Sequence, residues 1–109
     1  MLEFKGKTVL ITGGGSGIGE AMAYQYAGKG TNVILTGRRI ETLEKVQKNC
    51  IALGVKAWCK TVDVEKPESI EELAAWVKSE GHLIDFLFLN AGISQRALTL
   101  ETDISVDRR

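Results

Sequence analysis

The sequence predicts an α/β fold: a doubly wound parallel sheet of about four strands with flanking helices. Two observations carry this. Short apolar runs without polar alternation suit strands covered on both faces, and the four strand runs alternate with segments of helical periodicity. The connections are short and free of Ser- or Pro-rich linkers, as expected of right-handed βαβ units.

Thr8-Val9-Leu10-Ile11 is the first such run. After a glycine-rich turn, Ile18 to Ala27 places apolar residues at helical spacing, with Gly28 and Gly30 closing the helix. Asn32 to Thr36 is a second buried strand, ended by Gly37. Ile40, Leu43, Val46, Cys50 and Leu53 form one helical stripe, and Gly54 terminates it. Val55 to Val62 is richer in polar residues and is expected at the sheet edge. Pro67 marks the next helix start, Ile70, Leu73, Ala74 and Val77 its inward stripe, and Gly81 its end. Asp85 to Leu89 is a fourth strand, apolar on both faces.

A length of 109 residues argues for one domain. Fourteen basic residues balance fourteen acidic ones, so no global field recruits nucleic acid or an anionic membrane. The polar start Met1 to Lys7 has no signal-peptide core, and no stretch approaches the roughly 18 apolar residues of a membrane span. A cytoplasmic location is the expectation. Cys50 and Cys59 match no metal or redox spacing and read as buried thiols; no metal site is expected.

The first strand leads into Thr12-Gly13-Gly14-Gly15-Ser16-Gly17-Ile18-Gly19. The general dinucleotide fingerprint fails literally, because counting from Gly13 puts Ile18 where its last glycine belongs. Gly13, Gly17 and Gly19 nevertheless match a phosphate-binding turn. Glycines let the main chain approach a pyrophosphate, and the helix behind presents unpaired N–H groups. A tight strand–helix turn with no ligand is the alternative.

These residues resemble the short-chain dehydrogenase/reductase family, in its non-extended branch. Thr12 to Gly19 matches the family's T-G-x-x-x-G-x-G motif, Asp63-Val64 its adenine-contacting pair, and Asn90-Ala91-Gly92 its N-A-G motif. The resemblance runs along the whole chain. It implies a Rossmann-type domain of which residues 1–109 are the N-terminal portion of an NAD(P)-binding unit. It also implies that the main chain around Gly15, Ser16, Gly17 and Ile18 holds the pyrophosphate. Asp63 would bond the adenine with Val64 beside it, and Asn90, Ala91 and Gly92 would line the ribose and nicotinamide side. Asp63 capping a turn, and Asn90 to Gly92 as an ordinary loop, remain the plainer alternatives.

An NAD site wants a carboxylate at the end of the second strand. Gly37 stands there, followed by Arg38 and Arg39. An arginine offers a 2′-phosphate a planar donor fork. One charge-assisted hydrogen bond, about 1.5–3 kcal/mol, favours NADP over NAD by roughly 10- to 150-fold. Arg38 is the first candidate and Arg39 the second; solvated loop charges are the alternative.

The family's catalytic Ser and Tyr-x-x-x-Lys find no match here: Gly28 stands four positions after Tyr24, and Gly30 four after Tyr26. His82, in a loop, is assigned no chemistry. No catalytic residue is therefore expected in this chain, which ends at Arg109 where a further helix would begin. The expectation is the NADP(H)-binding part of a longer oxidoreductase acting on a small carbonyl or alcohol, inactive alone and prone to self-association through an uncovered fourth strand. A truncated, non-catalytic dinucleotide-binding or interaction module is the alternative. A flavin- or adenosine-binding domain is a third, disfavoured by Arg38 and Arg39.

Overall fold

A computed structural model describes residues 3–15, 17–63 and 65–89. In chain order the elements are β1 (Thr8–Thr12), α1 (Gly17–Gly28), β2 (Asn32–Gly37), α2 (Ile40–Ala52), β3 (Ala57–Thr61), α3 (Pro67–Ser79) and β4 (Phe86–Phe88). The strands form one parallel sheet in the order β3-β2-β1-β4, with Val9 opposite both Val33 and Phe86, and Val33 opposite Ala57. This is the expected α/β fold, with the polar third strand at the edge.

Strand alternation divides the core into two layers. Val9, Ile11, Val33 and Leu35 pack with Ala23 and Ala27 of α1 and Leu43, Val46 and Cys50 of α2. On the opposite face Leu10 and Ile34 pack with Ile70, Leu73 and Val77 of α3. Each large aliphatic side chain fully buried this way contributes about 1.5–3 kcal/mol, which explains why β1 and β2 carry apolar residues toward both faces. Helix α1 buries only Gly19, Ala23 and Ala27, small residues one turn apart that let its backbone lie close to the sheet.

Some boundaries and faces differ from expectation. Ile40 and Leu53, the ends of the α2 stripe, are exposed (37% and 53%), because Ile40 opens the helix and Leu53 is its C-cap, beyond the packed turns. The end of α1 does follow expectation: Gly28 is its last residue and the chain turns at Gly30 (φ +87°). The regular part of β3 is shorter than 55–62, although Val33 N–H to Lys56 O (3.1 Å) and Val62 N–H to Gly37 O (2.8 Å) continue its pairing with β2 at both ends.

Strand β4 is shorter than 85–89 and only partly buried. Asp85 leaves the ladder to clamp β1: its N–H donates to Thr8 O (2.9 Å) and its Oδ2 accepts from Thr8 N–H (3.0 Å). Cys50 is buried as expected, whereas Cys59 is only half-buried; desolvation pushes both thiols up to about 11. Among the described residues no helix is long and apolar enough to cross a membrane.

Candidate functional site

Because every strand runs the same way, the loops after β1, β2 and β3 emerge along one edge of the sheet. In open parallel sheets that edge is where ligands bind. The loop after β1 is shaped by its glycines. Gly13 (φ +67°) and Gly17 (φ +61°) occupy the left-handed region that disfavours any side chain. Gly19 is buried directly beneath the loop: a Cβ there would overlap the Gly13 carbonyl oxygen and sit 2.7 Å from its carbon. The start of α1 can thus lie against the loop only with glycine at position 19.

Two residues outside the sequence motif complete this cradle. Gly14, itself buried, donates its N–H to Thr36 O (2.9 Å), and Thr36 Oγ1 donates to Ile11 O (2.9 Å), tying the loop across the ends of β1 and β2. Thr42, in the first turn of α2, closes behind Gly15, where a Cβ would overlap its hydroxyl. Thr42 Oγ1 in turn donates to Arg39 O (3.0 Å). Neither contact has a local sequence signal, since each spans more than twenty residues of chain. Ile18 is left 62% exposed at the start of α1, so its apolar side chain is uncovered beside the loop.

At the end of β2, Gly37 packs against α2, and a Cβ would lie 3.2 Å from Leu43 Cδ2. A side chain there would need Leu43 to give by a few tenths of an ångström, so packing by itself already favours glycine at this position. Arg38 is exposed and forms no ion pair among the described residues. It lines a cleft of about 380 Å³ together with Asp63, Lys66, Glu68, Ser69 and Glu72. Arg39 is also exposed, but it takes the N-cap position of α2 in extended conformation and does not line this cleft. The structure therefore separates the two arginines that sequence could only rank.

Asp63 lies half-buried just past β3. It does cap a turn: its Oδ1 accepts the Glu65 N–H (3.0 Å) and its carbonyl accepts the Lys66 N–H (2.9 Å). Its own N–H donates to Ser69 Oγ (2.9 Å). The other carboxylate oxygen, Oδ2, has no partner among the described residues. Among the described residues the cleft thus offers a guanidinium and a carboxylate oxygen without partners, with Lys66, Glu68 and Glu72 mixing the charge around them. That set fits a ligand carrying both an anionic group and hydrogen-bond donors. The remaining candidates, Ser16, Val64, Asn90, Ala91 and Gly92, lie outside the described residues.

Tyr24 and Tyr26 are elsewhere and otherwise engaged. The Tyr24 hydroxyl donates to Glu20 Oε2 (2.8 Å) and accepts from Asn49 Nδ2 (2.8 Å), and burial raises its pKa. Tyr26 packs its ring against Phe4 and Phe86.

The family profile described as short chain dehydrogenase matches residues 7–107. Among individual proteins, the chain is 40% identical over 109 residues to a dehydrogenase/reductase SDR family protein 7-like of Drosophila melanogaster, covering 96% of this chain and 33% of that protein. It is 34% identical over 111 residues to human dehydrogenase/reductase SDR family member 7, covering 98% and 33%. The chain thus spans about a third of the length of these relatives.

Among solved structures, L-sorbose reductase from Gluconobacter frateurii complexed with NADPH and L-sorbose superposes with a TM-score of 0.89 over 98% of this chain and 50% of its own. At 24% identity that is a likeness of fold alone. An alcohol dehydrogenase from Thermococcus sibiricus complexed with 5-hydroxy-NADP is 34% identical, with a TM-score of 0.71 over 74% of this chain and 35% of its own.

Proposed function

The chain belongs to the short-chain dehydrogenase family, and from that premise we propose that it is the NADP(H)-binding part of an oxidoreductase acting on a small carbonyl or alcohol. The observation that carries the choice of coenzyme is the Arg38 guanidinium, exposed and free of ion pairs among the described residues, on the rim of the cleft it shares with Asp63. The Thermococcus sibiricus alcohol dehydrogenase was solved with 5-hydroxy-NADP, which supports the same assignment.

In this assignment, main-chain amides between Gly13 and Gly19, with Gly15, Ser16, Gly17 and Ile18 foremost, hold the pyrophosphate at the start of α1. Arg38 grips the 2′-phosphate, with Arg39 secondary. The free oxygen of Asp63 accepts from the adenine amine, with Val64 alongside, and Asn90, Ala91 and Gly92 line the ribose and nicotinamide. The glycine cradle supports this, since a Cβ at Gly19 would overlap the Gly13 main chain, and glycine there lets the start of α1 lie against the loop.

A bound nicotinamide coenzyme supplies or accepts the hydride. The chain's own part is to bind and orient it. With no Tyr-x-x-x-Lys pair in its 109 residues, the chain by itself is expected to bind coenzyme without turning it over. Location in the cytoplasm and self-association through β4 belong to the same proposal. The experiment is an equilibrium titration with NADPH and NADH: NADPH should bind at least about tenfold more tightly, from one charge-assisted contact. Equal affinities remove the NADP assignment, and no binding of either removes the function.

A further inference from the structure

We propose that Ser69 is the positioning residue for adenine recognition, acting through Asp63; this rests on the nucleotide-binding assignment above. Asp63 stands on the irregular stretch between β3 and α3, beside Val62, whose N–H still pairs with Gly37 O at 2.8 Å. From the other side it is held by α3. Ser69, in the first turn of that helix, accepts the Asp63 N–H on its hydroxyl oxygen at 2.9 Å, and the Lys66 N–H closes on the Asp63 carbonyl at 2.9 Å. With the main chain held from both sides, the carboxylate is pinned through Oδ1 to the Glu65 N–H at 3.0 Å.

This leaves Oδ2, without a partner among the described residues, as the acceptor available to a ligand in the cleft that Ser69 itself lines. An oriented acceptor selects for an exocyclic amine. Adenine carries one; hypoxanthine carries a carbonyl oxygen at the same place, which would meet the carboxylate with repulsion. Without the Ser69 hydroxyl the Asp63 N–H loses its partner and the turn can rotate, so the carboxylate no longer discriminates the two bases. The 2′-phosphate contact at Arg38, on a different strand end, is untouched. Ser69 therefore controls which base is accepted, and Arg38 which ribose.

The test titrates the protein with NADPH, NADH and the hypoxanthine analogue of NADPH. The native protein should prefer the adenine form. Ser69→Val should lower that preference about two- to tenfold, the range of one hydrogen bond. Ser69→Thr, equal in shape but keeping the hydroxyl, should retain it, and the NADPH-to-NADH ratio should stay constant in both. If the valine variant fails to fold, Ser69→Ala should show the same loss. A native adenine preference that survives in Ser69→Val or Ser69→Ala, or that is lost equally in Ser69→Thr, overturns the role. A native protein that binds NADPH but ignores the base removes the Asp63 contact and this inference with it. A protein that binds no dinucleotide removes the parent assignment instead.

Discussion

Replacing Arg38 by alanine isolates the contact on which the choice of coenzyme depends. Arg38 is exposed and without ion pairs among the described residues, so its removal breaks nothing in the fold and the melting temperature should stay unchanged. A hydrogen bond between a guanidinium and a phosphate is worth about 1.5–3 kcal/mol. Exposure at the cleft rim places Arg38 at the lower end, because water and salt screen it. About 1.4 kcal/mol corresponds to a tenfold change in affinity. Arg38→Ala should therefore weaken NADPH about tenfold and leave NADH within about twofold by the same arithmetic, in equilibrium titrations at low ionic strength. The difference should narrow as salt is added. Arg39→Ala should have the smaller effect, since Arg39 does not line the cleft. Equal losses for both coenzymes in Arg38→Ala, or a larger loss in Arg39→Ala, refute the assignment.

Gly19→Ala forces a Cβ into the Gly13 carbonyl, a backbone clash that should cost about 1–3 kcal/mol. The expected outcome is a melting temperature lowered by at least about 4 °C, with loss of coenzyme binding; unchanged values would show that the loop is looser than described. His82 sits between Trp58 (4.5 Å) and Trp76 (5.1 Å), with its Nε2 buried and unpartnered among the described residues. Desolvation lowers its pKa against the opposing pull of Glu80.

The unfolded chain therefore takes up a proton that the folded chain resists. Stability from this residue is complete above the unfolded value of about 6.5 and is lost as pH falls below it toward the lower folded value. Urea unfolding at pH 7 and pH 5 should show this loss, and His82→Gln should reduce it; identical pH slopes would contradict it. Phe86 and Phe88 lie on a partly buried strand with no neighbour beyond β4 among the described residues, so the chain should self-associate. Sedimentation showing a single monomeric species across the micromolar range would count against this.

The fold was legible because its two central strands are buried on both faces: Val9 to Ile11 and Val33 to Leu35 leave no room for polar alternation. The α3 stripe was equally plain, each of Ile70, Leu73, Ala74 and Val77 being buried. Helix ends were less so. Ile40 and Leu53 continue the α2 periodicity but lie exposed at the two ends of the helix, and periodicity carries no record of where a neighbour stops. In the candidate site, the motif located the loop, whereas Gly14 on Leu35, Thr42 behind Gly15 and Leu43 beside Gly37 are contacts made by tertiary packing. The turn-capping and ligand-binding readings of Asp63 proved compatible, since only Oδ1 is taken by the turn. Sequence treated them as rivals because spacing cannot distinguish one carboxylate oxygen from the other.

The decisive measurement is a crystal structure of the protein grown or soaked with excess NADPH. The expected density places the diphosphate against the main-chain amides of the Gly13–Gly19 loop and the 2′-phosphate within hydrogen-bond distance of Arg38. Density showing that crevice empty or closed by protein side chains, or a coenzyme bound with its ribose turned away from Arg38, would contradict it.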